Sequence, residues 1–279
     1  MISSLSDLVA AQKLRRQRLY YYTSNGGAWL AGSPFALSWW NTVYPAPGNH
    51  APPSECPSAT TLGAFPLTLR PRPGRQLFLG ASKLIFLHTQ GQIVTQRIGV
   101  RLCDRLYHCA FNPITNGTVS INGPTVTRGA ANGVGNEIYI EVNGNPGGGN
   151  IGVTYINQDG EQKQTSTTAP MGQNDTGGGR WLPCARAVGD TGVQSIVSVQ
   201  CNALNFVAAR TETVVIVREI GHMFSVWPPQ TNRSDPTDAL ENALAPIDDQ
   251  ACLMLVAESP TASPDTPSVI TGWFDVIEA

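Results

Sequence analysis

The chain is short of charge and of any recognisable catalytic signature. Asp, Glu, Lys and Arg make up 14% of its 279 residues, against about 25% in an average soluble domain. The formal net charge of −2 gives no global field to attract nucleic acid. No apolar run reaches the roughly 18 residues that a bilayer-spanning helix needs. The histidines His50, His88, His108 and His222 show neither HxH nor HExxH spacing, so none specifies a local zinc site. GxSxG does not occur, which removes the nucleophile elbow of the α/β-hydrolases. The glycine-rich runs GNPGGGN and TGGGRW lack GK[ST] and read as loop tips rather than phosphate cradles. MISSLSDLVAAQKLRRQR turns basic where a secretory leader would be apolar. The chain is therefore expected to fold in a cytoplasm.

Six cysteines, at 56, 103, 109, 184, 201 and 252, make no CxxC. Cys103, Cys201 and Cys252 sit in apolar strand-like runs, so free buried thiols are the expectation. A disulfide is the alternative and metal ligation the third reading.

What the chain does contain is strand and turn. Its 28 Gly and 21 Pro form roughly 18% of the sequence, against about 12% on average. From residue 63 onward, short alternating apolar runs are broken at close intervals by Gly, Asn, Asp and Pro. This pattern predicts an all-β, jelly-roll-like two-sheet β-sandwich. Strands are expected at 64–70, 76–89 with Gly80 a bulge or turn, 97–103, 118–121, 136–142, 192–202 and 211–220. Asp159-Gly160 between alternating runs predicts a type I′ hairpin joining 151–157 to 162–168. ACLMLVAES and SVITGWFDVIE are expected to close the chain as a terminal strand pair. TDALENAL reads as one short helix with Thr237 as N-cap.

Before the sandwich (63–279) comes a segment of different character (1–62). Residues 3–22 read as a helix capped by Ser4 or Ser6, with Leu5, Leu8, Val9 and Leu14 near one stripe. Lys13, Arg15, Arg16 and Arg18 complement its dipole. They form either a solvated face or a basic arm for an acidic or nucleic-acid surface. Residues 23–61 carry Trp29, Phe35, Trp39, Trp40 and Tyr44, too many aromatics for a disordered linker. They read as an extended arm anchored on its own domain or on a neighbour. Candidate interface residues are Leu8, Arg15, Arg16, Tyr20, Trp29, Trp39, Trp40 and Tyr44. Deleting residues 1–30 is expected to leave the sandwich folded.

The densest polar cluster is CDRLYHC, with Asp104, Arg105, Tyr107 and His108. A catalytic His–Asp pair there would need a nucleophile. The plainer reading is a strand end whose turn is stabilised by Asp104 and capped by Tyr107. Asp248 and Asp249 are adjacent carboxylates with no complement at a defined spacing.

Several stretches in fixed order resemble a family of tailed-bacteriophage virion proteins. They are SWWNTVYPAPG, RLCDRLYHCAF, IGVTYINQDGEQKQTST, RWLPCARAVGDTGVQSIVSVQCN, and ACLMLVAES followed by ITGWFDVIEA. The family counterparts are motifs of the LYDRLWH, YTNQDG and GDTGVRSV type. The resemblance implies a non-enzymatic capsid decoration or cement protein of the phage head, without cofactor or metal. Its partners would be phage capsid or other virion proteins and further copies of itself, a trimer being the favoured form. Two other readings compete. A glycan- or receptor-binding module of a tail or baseplate would present Trp29, Trp39, Trp40, Trp181 and Trp273 to sugar rings. A hydrolase on a β scaffold would need converging ionisable groups in a cleft.

Overall fold

The computed structural model describes residues 15–24, 35–36, 42–44, 48–87, 99–114, 116–143, 149–165, 179–202, 211–224, 234–236, 245–258 and 269–279. In chain order these form β1 (Arg16–Ser24), β2 (Phe35–Ala36), β3 (Thr42–Tyr44), β4 (Leu77–Leu87), β5 (Gly99–Phe111), β6 (Gly117–Ser120), β7 (Asn136–Val142) and β8 (Asn150–Asn157). There follow β9 (Gln162–Gln164), β10 (Arg180–Cys184), β11 (Val193–Asn202), β12 (Glu212–Phe224), β13 (Ser234–Pro236), β14 (Pro246–Ile247), β15 (Leu253–Glu258) and β16 (Val269–Glu278). The expected all-β class holds.

The strands stack as sheets face to face, as a sandwich requires, but in three layers rather than two. A terminal sheet has the order β13-β4-β16-β1-β3, with β14 also on β4. A closed barrel runs β10-β2-β15-β5-β12-β7, and a four-stranded sheet runs β6-β11-β8-β9. One core lies between the terminal sheet and the barrel: Leu19, Tyr21, Leu79 and Phe274 pack against Val100, Leu102, Leu253 and Leu255. A second joins Val153, Tyr155, Ile196 and Val199 of the four-stranded sheet to Ile138, Ile140, Val214 and Ile216 of the barrel. A third, with Cys103, Trp181, Val215 and Met254, fills the barrel. Barrel strands are thus covered on both faces. That is why TVVIV and LMLVA are continuous apolar runs, each residue buried. Each Val, Ile, Leu or Met side chain in these runs contributes about 1.5–3 kcal/mol of burial.

Four expectations are corrected. The first concerns the helix over 3–22: residues 16–24 are strand β1, in unbroken register with β16 from Arg16↔Ile277 to Ser24↔Val269. RQRLYYYTS has period two, with Leu19 and Tyr21 buried and Tyr20 and Tyr22 exposed, and its aromatics suit a half-buried sheet. Ser4, Ser6 and Leu8 lie outside the described residues. Because β1 sits between β16 and β3, deleting residues 1–30 would strip a strand from within the sheet and uncover that core. Second, 64–70 is in no ladder. It is held by Phe65 N–H on Leu253 C=O (2.9 Å) and by Gln17 Oε1, which accepts from Thr68 and Leu69 N–H (2.8 Å each). Pro66, Pro71 and Pro73 withhold the donors a ladder needs.

Third, β15 and β16 do not pair with each other. β15 lies between β5 and β2, and β16 between β4 and β1. Fourth, the 157–161 turn is not type I′, since only Gly160 of the central pair has positive φ (+80°). Gly160 N–H bonds Asn157 C=O (3.1 Å), and Asn157 Oδ1 accepts from Asp159 and Glu161 N–H (3.0 and 2.9 Å). Replacing Gly160 by valine, with open space around its missing Cβ, is expected to cost about 1–2 kcal/mol from backbone strain alone. An unchanged urea midpoint would refute that cost. The bulge expected at Gly80 is present: the register slips opposite it between Phe274 and Val276. The TDALENAL helix falls outside the described residues.

Candidate functional site

The CDRLYHC cluster lies in mid-strand within the core, not at a turn. A regular strand alternates faces, so residues three apart, such as Arg105 and His108, point opposite ways. Here β5 carries a bulge. Ile216 pairs with Tyr107 and Val217 with Arg105, which leaves Leu106 without a partner. The extra residue returns His108 to the face that Arg105 occupies. Both then meet in the barrel, with Arg105 Nε donating to His108 Nδ1 at 3.1 Å.

From there a polar chain runs through the barrel. Arg105 Nη2 donates to Glu141 Oε2 (2.8 Å), and Trp181 Nε1 donates to Glu141 Oε1 (3.2 Å). Arg105 and Glu141 are fully buried. Because His108 Nδ1 accepts from a guanidinium, its proton sits on Nε2 and is donated to Glu55 Oε1 at 3.0 Å. Burial, and then the Arg105 cation, drive the His108 pKa down to about 2. The ring is therefore neutral and has no free lone pair for a substrate proton. It ties the 48–62 segment to the barrel, beside two backbone bonds between Glu55 and His108 (3.1 Å each). A shallow groove of about 720 Å³ opens at this point, lined by His50, Glu55, Leu62 and His108.

Neighbouring residues in β5 fasten other pieces. Asp104 takes Arg128 (3.0 and 3.3 Å) and Cys252 N–H (2.8 Å). Burial raises its pKa, and Arg128 opposes that shift. The Tyr107 hydroxyl meets Ser54 Oγ at 2.9 Å. The QDG and GDTGV stretches likewise interlock. Tyr155 OH and Asn157 Nδ2 donate to Asp190 (2.5 and 3.0 Å), and Gln158 Oε1 accepts from Thr191 and Gly192 N–H (2.9 and 3.0 Å).

At the other end of the barrel Arg101 is ringed by Glu137, Glu219 and Glu258 at 3.3, 3.4 and 2.5 Å. Tyr139 OH accepts from Arg101 (3.1 Å) and donates to Glu137 (2.6 Å). Among the described residues no group of three His, Cys, Asp or Glu is placed to hold a metal ion.

Three of the candidate interface residues lie at β1, Arg16 and Tyr20 on its outer face and Arg15 just before it. Arg15 pairs with Glu278 (2.6 Å), Arg16 lies 3.7 Å from Asp275, and Tyr20 is 57% exposed. Tyr44 is in β3, opposite Tyr22. Leu8, Trp29, Trp39 and Trp40 lie outside the described residues. The sequence reading missed what organises this face. Arg18 grips buried Asp275 with two bonds (2.8 and 2.9 Å) and lies 3.6 Å over the ring of Trp273. Only the β1–β16 register, which sets Tyr20 beside Trp273, reveals these partners. Trp181, one of the five tryptophans of the sugar-platform reading, is wholly buried in the barrel. All six cysteines are free, Cys56 exposed and the other five buried. Burial pushes the Cys184 and Cys252 thiols up to about 12.

No family model and no curated protein matches the chain. Among solved structures, infectious bursal disease virus Gt strain is 8% identical, with 95% of this chain and 80% of that one covered, at a TM-score of 0.23. The Gx strain structure is 10% identical, with 95% and 80% covered, at 0.21. The T13 particle of the same virus is 7% identical, with 95% and 77% covered, at 0.23. These TM-scores lie below the level of a shared fold, so the functional reading rests on the chain's own residues.

Proposed function

We propose that the chain is a non-enzymatic structural subunit of a tailed-phage virion, a capsid decoration protein that binds neighbouring subunits. The observation that carries this reading is the use made of its reactive residues. Asp104, Arg105, Tyr107 and His108 are spent on one another, on Arg128, Glu141 and Cys252, and on the 48–62 segment. Their chemistry goes into fastening layers. The exposed side of β1 carries Arg and Tyr beside a Trp, residue types enriched where proteins meet. The ordered motif resemblance to tailed-phage virion proteins supports the same reading and supplies the phage and the head.

The test is sedimentation velocity of the purified chain across the micromolar range, with electron microscopy of the phage particle that contains it. Closed homo-oligomers and regularly placed density on the head are expected. A chain that stays monomeric at all concentrations and is missing from the particle would refute the proposal.

A further inference from the structure

Resting on the reading of the chain as an assembling subunit, we infer that the arginine–tyrosine face of β1 docks head-to-tail on the acidic barrel mouth of a second copy. The face consists of Arg16, Arg18, Tyr20 and Tyr22, which alternate outward along β1, with Trp273 beside Tyr20. Tyr20 and Tyr22 are 57% and 42% exposed. Arg18 is held both by Asp275 and against the Trp273 ring, so little of its rotamer freedom is left to lose on docking. Arg16 and Arg18 share one carboxylate, Asp275, whose side chain is only 1% exposed. The surface is left with a surplus of positive charge.

The mouth has the opposite imbalance. Glu137, Glu219 and Glu258 converge on Arg101, with His222 Nδ1 3.2 Å from Glu219 Oε1. The three glutamate side chains remain 39%, 36% and 41% exposed, while Arg101 is 12% exposed. Three carboxylates around one guanidinium keep lone pairs free for incoming arginine donors.

Charge complementarity identifies the occupant as another copy of this chain, because each copy carries both halves of the match. It also sets the mode. A two-fold contact through the β1 face would bring two positively charged surfaces together, which like charge disfavours. A head-to-tail contact sets them against glutamates and closes into a ring when the rotation allows.

Sedimentation velocity of the full chain, with thermal melts in parallel, tests the contact by charge exchange. Arg16→Glu and Glu219→Lys, each alone, are expected to weaken self-association at least tenfold while keeping the wild-type melt. The double variant is expected to regain most of that loss. Tyr20→Ala should weaken association without rescue by either change. If Glu219→Lys unfolds by crowding Arg101, Glu219→Gln removes the charge alone and should weaken association several-fold. Wild-type association should also fall in 0.5 M salt, where screening shortens to about 4 Å. Single variants that assemble like wild type, or a double variant no tighter than the singles, would overturn this contact and leave the assembly reading standing. A wild-type chain that never self-associates would overturn the contact, and the assembly reading falls with it if the chain is also missing from the particle.

Discussion

Replacing Arg105 by methionine is expected to destabilise the fold by about 3–5 kcal/mol, because it strands a carboxylate inside a closed barrel. Glu141 is fully buried and takes its charge partner from Arg105 at 2.8 Å. Trp181 Nε1, at 3.2 Å from Oε1, is a neutral donor and brings no charge. His108 Nδ1 loses its donor in the same step. The penalty is desolvation left uncompensated, so removing the second charge should restore stability. Arg105→Met combined with Glu141→Leu is expected to recover most of the loss. The two apolar side chains would extend the Trp181–Val215–Met254 core that already lies there. Urea denaturation of the four members of this cycle is the measurement. A single variant costing under about 1 kcal/mol would mean that the pair is reached by water and fastens nothing. A double variant no better than the single would place the cost in lost packing.

Replacing Leu106 by alanine is expected to cost about 2–5 kcal/mol as a cavity, since Leu106 is fully buried. Deleting it should cost a similar amount and still leave the fold in place. Leu106 is the unpaired residue of the bulge. Without it Arg105 and Tyr107 follow one another opposite Val217 and Ile216, so the ladder becomes regular and the residues from Tyr107 to Phe111 keep their faces. Arg105 and His108 then stand two positions apart, still on the barrel face. Near-UV circular dichroism and urea denaturation compare the two variants. A deletion variant that loses its near-UV signal while the alanine variant keeps it would show that β5 needs the bulge itself, and not only the buried side chain.

The resemblance motifs gain a physical reading from these contacts. RLCDRLYHCAF forms a strand that reaches all three cores, through Leu102, Cys103 and Leu106. NQDG and GDTGV are two halves of one joint, in which Gly192 approaches Gly133 so closely that an added Cβ would lie 2.4 Å from its carbonyl oxygen. Residues that look like chemistry in the sequence are here the fittings between layers. That distinction was not legible beforehand, because a buried ion pair and a catalytic dyad use the same residue types.

Legibility followed range. The apolar alternation, the Gly80 bulge and the turn at Gly160 depend on neighbours a few residues away, and the sequence reading placed them. The helix assigned to 3–22 failed over β1 because dipole and capping arguments weigh only local energies. The decisive partner of Arg18 is Asp275, 257 positions along the chain.

By itself, then, the sequence determined an all-β class and its turn positions, since period-two patterning and backbone preference are properties of short segments. Only the tertiary structure decided that the middle layer closes into a barrel, that β1 lies between β16 and β3, and that Arg105 and His108 share a face. Those outcomes depend on which strands pair and in what register, and pairing energy is set between residues far apart in the chain.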